Sequence, residues 1–142
     1  MTRTDIPNLP MRVLVVDDSV EWRQYIRTML EMLPGELQVV GEASDGFQAV
    51  QKAEELGPNL ILLDIGLPGL NGIEAATRIS AIAPGSKILF LSQNDDTDVV
   101  RAALQEGACG YVLKSDANRE LLAAVAAVLR GEGFISHSLA ST

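Results

Sequence analysis

The sequence is short of positive charge, of cysteine and of histidine, and it has no long apolar run. Its 11 Lys and Arg face 19 Asp and Glu, for a formal net charge of −8. A surface of that sign repels phosphate backbones, so direct nucleic-acid binding by this chain is not expected. The one cysteine, Cys109, excludes an internal disulfide and fits a reducing compartment. The one histidine, His137, excludes a multi-histidine metal site and argues against phosphohistidine chemistry on this chain. The longest apolar run, Leu121–Leu129, is too short to span a bilayer, and Met1–Pro10 lacks a basic-then-apolar leader pattern. What remains is a 142-residue chain with 47% hydrophobic and 21% charged residues. That is the composition of one cytoplasmic globular domain with its own core and no membrane partner.

Two periodicities alternate along the chain. Short β-branched or apolar runs at Arg12–Asp17, Leu37–Val40, Leu60–Asp64, Lys87–Leu91 and Tyr111–Leu113 read as strands buried on both faces. Between them lie helical patterns. Ser19–Leu33 ends at Pro34-Gly35, with Trp22, Ile26, Met29, Leu30 and Leu33 on its apolar stripe and Met32 also read as packing. Asp45–Leu56 has Phe47, Val50 and Ala53 on one side, and Gly57-Pro58 as its stop. Gly72 to about Ala83 and Asp95–Glu106 follow, and a last helix capped by Asp116 runs to about Arg130. Continuous apolar strands joined by helical crossovers predict an α/β, doubly wound, five-stranded parallel sheet with helices on both faces. Strand order does not follow from periodicity.

In such sheets, function collects beyond the carboxyl ends of the strands. The first strand ends in Asp17-Asp18, the third in Asp64, the fourth in Ser92 and the fifth in Lys114. The second offers no comparable group, as suits an edge strand. Each residue alone has a plainer reading: Asp17-Asp18-Ser19 and Ser92 as helix caps, Asp64 as a turn acid, Lys114 as a solvated cation. Caps, however, give no reason for three acids and a lysine to share one rim. Two carboxylates about 4 Å apart repel by roughly 4 kcal/mol at an effective dielectric near 20, so three require a divalent cation or a proton. All-oxygen ligands at a wet edge suit Mg²⁺ shared with phosphate oxygens. A lysine suits a phosphoryl oxygen, and a carboxylate can serve as nucleophile.

These residues stand in motifs that resemble the receiver domain of bacterial two-component response regulators. They are Val15-Val-Asp17-Asp18-Ser19, Leu63-Asp64-Ile-Gly-Leu-Pro68-Gly-Leu-Asn-Gly72, Leu91-Ser92 and Gly110-Tyr111-Val-Leu-Lys114, in the family's order over about residues 11–131. The resemblance implies a flavodoxin-like receiver fold with strand order 2-1-3-4-5. It implies Asp64 as acceptor of a phosphoryl group from a sensor histidine kinase or a small phosphodonor. Asp17, Asp18, Asp64 and the carbonyl of Gly66 would hold Mg²⁺. Lys114 would pair with Asp64 and then with the phosphoryl group. Ser92 would follow a phosphoryl oxygen, and Tyr111 would be the aromatic switch that turns inward on activation. Such a domain catalyses only its own phosphorylation and dephosphorylation and is not otherwise an enzyme.

Gly-Tyr-Val-Leu-Lys-Ser-Asp-Ala, the alanine-rich helix and Gly-Phe-Ile-Ser are similar to receivers of NarL/LuxR-type regulators, which continue through a linker into a helix-turn-helix domain. The implied division is an N-terminal extension at 1–10, a receiver at 11–131, and at 132–142 a tail or the start of a linker to a DNA-binding effector. A stand-alone receiver acting as a phosphorelay intermediate or protein-interaction switch is the alternative. The alanine face of the last helix (Ala123, Ala124, Ala126, Ala127) suits a homodimer, effector docking or plain packing on the sheet. Gln93 beside Gly66 departs from the common pattern and bears on water access to the site. Ser115 stands where many receivers carry a proline, so a cis bond after Lys114 is not implied.

Other chemistries fit less well. A flavin or nucleotide module needs a phosphate loop where Asp17-Asp18 stands. A hydrolase with an aspartyl-phosphate intermediate needs Asp-x-Asp, and Ser19 occupies its third position. A receiver that only scaffolds would not need the full set of acids, Ser92 and Lys114. Trp22 reads as core or semi-buried, and Cys109 as a small packing residue.

Overall fold

The computed structural model describes residues 10–33 and 37–140. Pro34-Gly35, expected to stop the first helix, and the N-terminal segment apart from Pro10 lie outside the described residues. The strands are β1 (Met11–Val16), β2 (Leu37–Ala43), β3 (Leu60–Leu63), β4 (Lys87–Ser92), β5 (Gly110–Leu113) and β6 (Phe134–Ile135). The helices are α1 (Val20–Leu30), α2 (Gly46–Leu56), α3 (Gly72–Ile82), α4 (Thr97–Gln105), α5 (Ala117–Leu129) and a four-residue α6 (His137–Ala140). The sheet is parallel throughout, in the order β2-β1-β3-β4-β5-β6.

The doubly wound fold and the order of the first five strands are those expected. The sixth strand was not foreseen: a two-residue strand leaves no periodicity to read. The second strand also runs on to Ala43, past a register shift that pairs Val13 with Val39 and Leu14 with Gly41.

Alternation along the central strands builds two cores. Val13, Val15, Leu60, Leu62, Leu89, Leu91 and Val112 face α1 and α5. Leu14, Val16, Ile61, Leu63, Ile88, Phe90, Tyr111 and Leu113 face α2, α3 and α4. Every residue of β3 is buried, and each such Leu or Ile contributes about 1.5–3 kcal/mol. Both faces are therefore spent on packing, and only the strand ends are free for chemistry.

Helix starts are set by side chains that accept a backbone N–H: Ser19 from Trp22, Asp45 from Gln48, Asn71 from Glu74, and Asp96 from Asp98 and Val99. The cap at Asp96 also explains why α4 begins at Thr97 rather than at Asp95.

Three residue-level expectations are corrected. Asp116 does not cap α5, because Lys114–Asp116 is a 3₁₀ turn running straight into the helix. Its side chain is buried instead and accepts from Arg119 Nη2 at 2.6 Å. Phe47 is 56% exposed, since the inner face of α2 is Gly46, Ala49 and Ala53; the Arg78 guanidinium lies over its ring, 5.8 Å from the centroid. Met32 is 65% exposed because α1 ends at Leu30, two residues before it. On α5, Ala124 packs in the α1/α5 core and Ala127 is buried, while Ala123 is exposed. Cys109 is half-buried against the α1/α5 core, as a packing residue.

The segment after α5 is tied to the end of β5 by one buried side chain. Ser136 Oγ accepts from the Leu113 N–H at 2.8 Å, and the Ser136 N–H donates to the Tyr111 carbonyl at 2.9 Å. Ser136→Ala leaves a buried N–H without its partner, so urea unfolding should show a loss of about 1–3 kcal/mol. A variant as stable as the parent would mean that the Ser136 hydroxyl contributes nothing to holding β5.

Candidate functional site

The order β2-β1-β3 makes the crevice between the ends of β1 and β3 the switch point of the sheet. Asp17 follows β1, Asp64 follows β3, Ser92 ends β4 and Lys114 follows β5. The structure brings these groups to one rim. Asp18, Ser19, Trp22, Asp64, Gly66, Ser92, Gln93, Asn94, Asp95 and Lys114 line a solvent-open crevice of about 640 Å³.

Lys114 is the hub. Its Nζ lies 2.7 Å from Asp17 Oδ2 and 3.2 Å from Asp64 Oδ2, and its side chain is only 8% exposed. Asp17 is nearly fully buried. Its Oδ1 accepts from the Ser19 N–H at 2.9 Å, and its backbone carbonyl accepts from Arg23 Nη1 at 2.7 Å. Arg23 and Arg27 both reach Glu42 at the end of β2, at 2.8 and 2.9 Å, so a cationic brace on α1 steadies the β1 end. Asp64 Oδ1 accepts from its neighbour's N–H, Ile65, at 2.7 Å. The loop after Asp64 is pressed against α3: a Cβ at Gly72 would sit 2.0 Å from the Asp64 carbonyl oxygen, so only glycine fits there. At Gly66 a Cβ would meet nothing within 4 Å, and the crevice is open on that side.

Carboxylate oxygens of Asp17, Asp18 and Asp64 gather within 4.8 Å of one another. One ammonium cannot neutralise three carboxylates. Burial pushes the Asp17 carboxyl above the ordinary range; Lys114 and the Ser19 N–H pull it back, and Asp64 adds to the rise. The donor set is all oxygen, with Asp18 exposed to water. Hard, partly hydrated divalent cations such as Mg²⁺ fit it, and softer thiol- or imidazole-seeking metals do not.

On the far wall, Ser92 Oγ is buried and accepts from the Asn94 N–H at 3.2 Å. Tyr111 is wholly buried, its ring centroid 5.9 Å from that of Phe90, and its hydroxyl donates to the Asn94 carbonyl at 2.6 Å. Asn94 thus links the serine and the tyrosine through the N–H and C=O of one residue. The Lys114–Ser115 bond is trans.

Sequence reading passed over Trp22, which walls the crevice rather than serving only as packing, and Asn94 and Asp95, which line it. Trp22 lies four residues after Asp18, one helical turn into α1, and that spacing was the available signal.

Burial pushes the Tyr111 phenol up to about 12, with Asp64 and Asp95 adding to the rise and Ser92 opposing it. The unfolded chain loses this proton near pH 10, so the folded state holds it longer. The stability it contributes is whole below pH 10 and disappears as pH rises through about 12. Unfolding free energies should therefore show the parent losing ground to Tyr111→Phe across that interval; parallel curves would place the hydroxyl in a wetter setting.

Comparison with known proteins follows the same lines. Residues 13–126 match the family described as response regulator receiver domain. The nitrate/nitrite response regulator NarL of Escherichia coli K12 is 36% identical over 130 residues, 92% of this chain and 60% of the relative, so the chain spans less than two thirds of that protein's length. A LuxR-family two-component response regulator from Aurantimonas sp. SI85-9A1 superposes with a TM-score of 0.88 at 32% identity, covering 93% of this chain and 94% of the other. The isolated receiver of RcsB from Salmonella enterica serovar Typhimurium, solved with the phosphomimetic BeF₃⁻, superposes at 0.87 with 28% identity, covering 93% and 97%.

Proposed function

The chain belongs to the response regulator receiver family, of the NarL/LuxR type, and on that premise we propose that Asp64 is its phosphoacceptor, charged by a sensor histidine kinase. The observation that carries this reading is the single rim holding Asp17, Asp18, Asp64, Ser92 and Lys114. A carboxylate oxygen of Asp64 attacks phosphorus, the bond from phosphorus to the donor breaks, and its electron pair leaves with the donor nitrogen or oxygen. Asp17, Asp18, Asp64 and the Gly66 carbonyl would hold Mg²⁺, which supplies charge neutralisation at the phosphoryl oxygens when bound.

Lys114 begins paired to Asp17 and Asp64 and can turn to a phosphoryl oxygen while keeping Asp17. Ser92 offers a hydroxyl from the facing wall. Because its Oγ and the Tyr111 hydroxyl both bond the backbone of Asn94, a pull on Ser92 reaches the ring through that one residue. Tyr111 is already turned inward here, the orientation that the family resemblance associates with activation.

The receiver proper is residues 11–131, preceded by an extension at 1–10. Segment 132–142 is either a C-terminal tail or the start of a linker to a DNA-binding effector that would control transcription in the cytoplasm, with homodimer or effector contacts as the output; its Phe134–Ile135 strand joins the sheet beside β5. No helix among the described residues is long and apolar enough to cross a membrane.

Acetyl phosphate with Mg²⁺ should label the protein. Labelling should vanish with EDTA and fall at least ~100-fold in Asp64→Asn. Undiminished labelling of that variant, followed by acid- and hydroxylamine-sensitivity assays, would move the acceptor elsewhere.

A further inference from the structure

Lys114 has a third neighbour that the phosphoryl-transfer scheme does not use. Its Nζ stands over the Trp22 ring, 4.8 Å from the centroid, within the range in which an ammonium is attracted to an aromatic face. Trp22 is held through its backbone and its ring edge. Ser19 Oγ accepts the Trp22 backbone N–H, while the Ser19 N–H donates to Asp17, so the backbone of Trp22 is chained to the acid that also binds Lys114. Tyr25 meets the ring edge-on at 5.2 Å and 85°, one helical turn away. Trp22 packs at the margin of the α1/α5 core but also lines the crevice beside Asp18, Asp64 and Lys114.

We propose that Trp22 is a positioning residue for Lys114: its indole face holds the ammonium at the mouth of the crevice, between Asp17 and Asp64. The proposal rests on the reading of Lys114 as the cation that meets the phosphoryl group. An ammonium has three N–H donors and no preferred direction, and its stem has four rotatable carbons. Two carboxylates alone would let it slide between them or swing out to water. A π face on a further side supplies attraction without a negative charge, which a fourth acid could not do in a site already overloaded with carboxylates. The ring also covers the ammonium from solvent, in keeping with its low exposure. When Asp64 becomes an acyl phosphate, Asp17 and Trp22 remain as fixed partners, so the lysine has to move only locally.

The test has two readings, both required. The first needs neither metal nor phosphodonor: Trp22 is the sole tryptophan, so the emission of the metal-free full chain reports on this ring alone. Lys114→Met should shift its emission maximum or intensity, and an emission spectrum identical to the parent's overturns the contact. The second is the rate of Asp64 labelling by acetyl phosphate with saturating Mg²⁺. Trp22→Leu, which keeps apolar bulk but loses the π face, should slow it about tenfold, whereas Trp22→Phe should stay within about threefold of the parent. A Trp22→Leu rate equal to the parent's, or Trp22→Phe falling as far as Trp22→Leu, overturns the positioning role. Asp64→Asn run alongside separates the two readings. If it still labels, the phosphoacceptor assignment fails while the emission result stands on its own; if it is silent, any failure of the Trp22 series belongs to this proposal.

Discussion

Repulsion among Asp17, Asp18 and Asp64 is the constraint on which the rest of the site depends. Three carboxylates within 4.8 Å would drive the strand ends apart unless other groups held them. The surrounding structure supplies those groups. Lys114 bridges two of the acids, the Ser19 and Ile65 N–H groups each take an oxygen, and Arg23 secures the backbone of the first. What is left is a deficit of positive charge facing open water. An oxygen-rich site in that condition suits a hard divalent cation, which is the basis of the phosphoryl-transfer reading proposed for it.

The fold makes that concentration of charge tolerable. The sheet interior is committed on both faces to apolar packing, from Val13 and Leu14 through Leu62 and Leu63 to Phe90 and Leu91. Polar groups are excluded from the body of the sheet and collect where the strands end. Rigidity there comes from close approaches that the sequence permits, such as α3 lying against the Asp64 backbone at Gly72. Hydrogen bonds also lead outward, from Ser92 through Asn94 to Tyr111, and from Tyr111 and Leu113 to Ser136 beyond β6.

Much of this was legible before any coordinates. Strand runs such as Leu60–Asp64 carry their burial in their composition, and the acids that end them announce the rim because parallel strands all end on one side. Short elements and local rotations were not legible. Phe47 sits one residue away from Gly46 on a helix whose inner face is too close to its neighbours for an aromatic ring, so hydrophobicity alone pointed it the wrong way. Asp116 looks like a cap in one dimension, but the 3₁₀ turn before it removes the geometry a cap needs. Trp22 satisfied an apolar stripe, and nothing in that stripe told that a lysine ninety-two positions later would arrive over its ring.

By itself, the order of residues determined the alternation of strands and helices, the both-sided burial of the sheet and the kind of chemistry its strand ends can support. These follow from local periodicity and from which polar groups sit at fixed chain positions. Tertiary structure alone decided which oxygen of Asp17 meets Lys114, that an indole face completes the lysine's surroundings, and that Ser136 closes the end of β5. Those contacts join residues far apart in the chain, and their existence depends on distances of a few ångströms that no local pattern encodes.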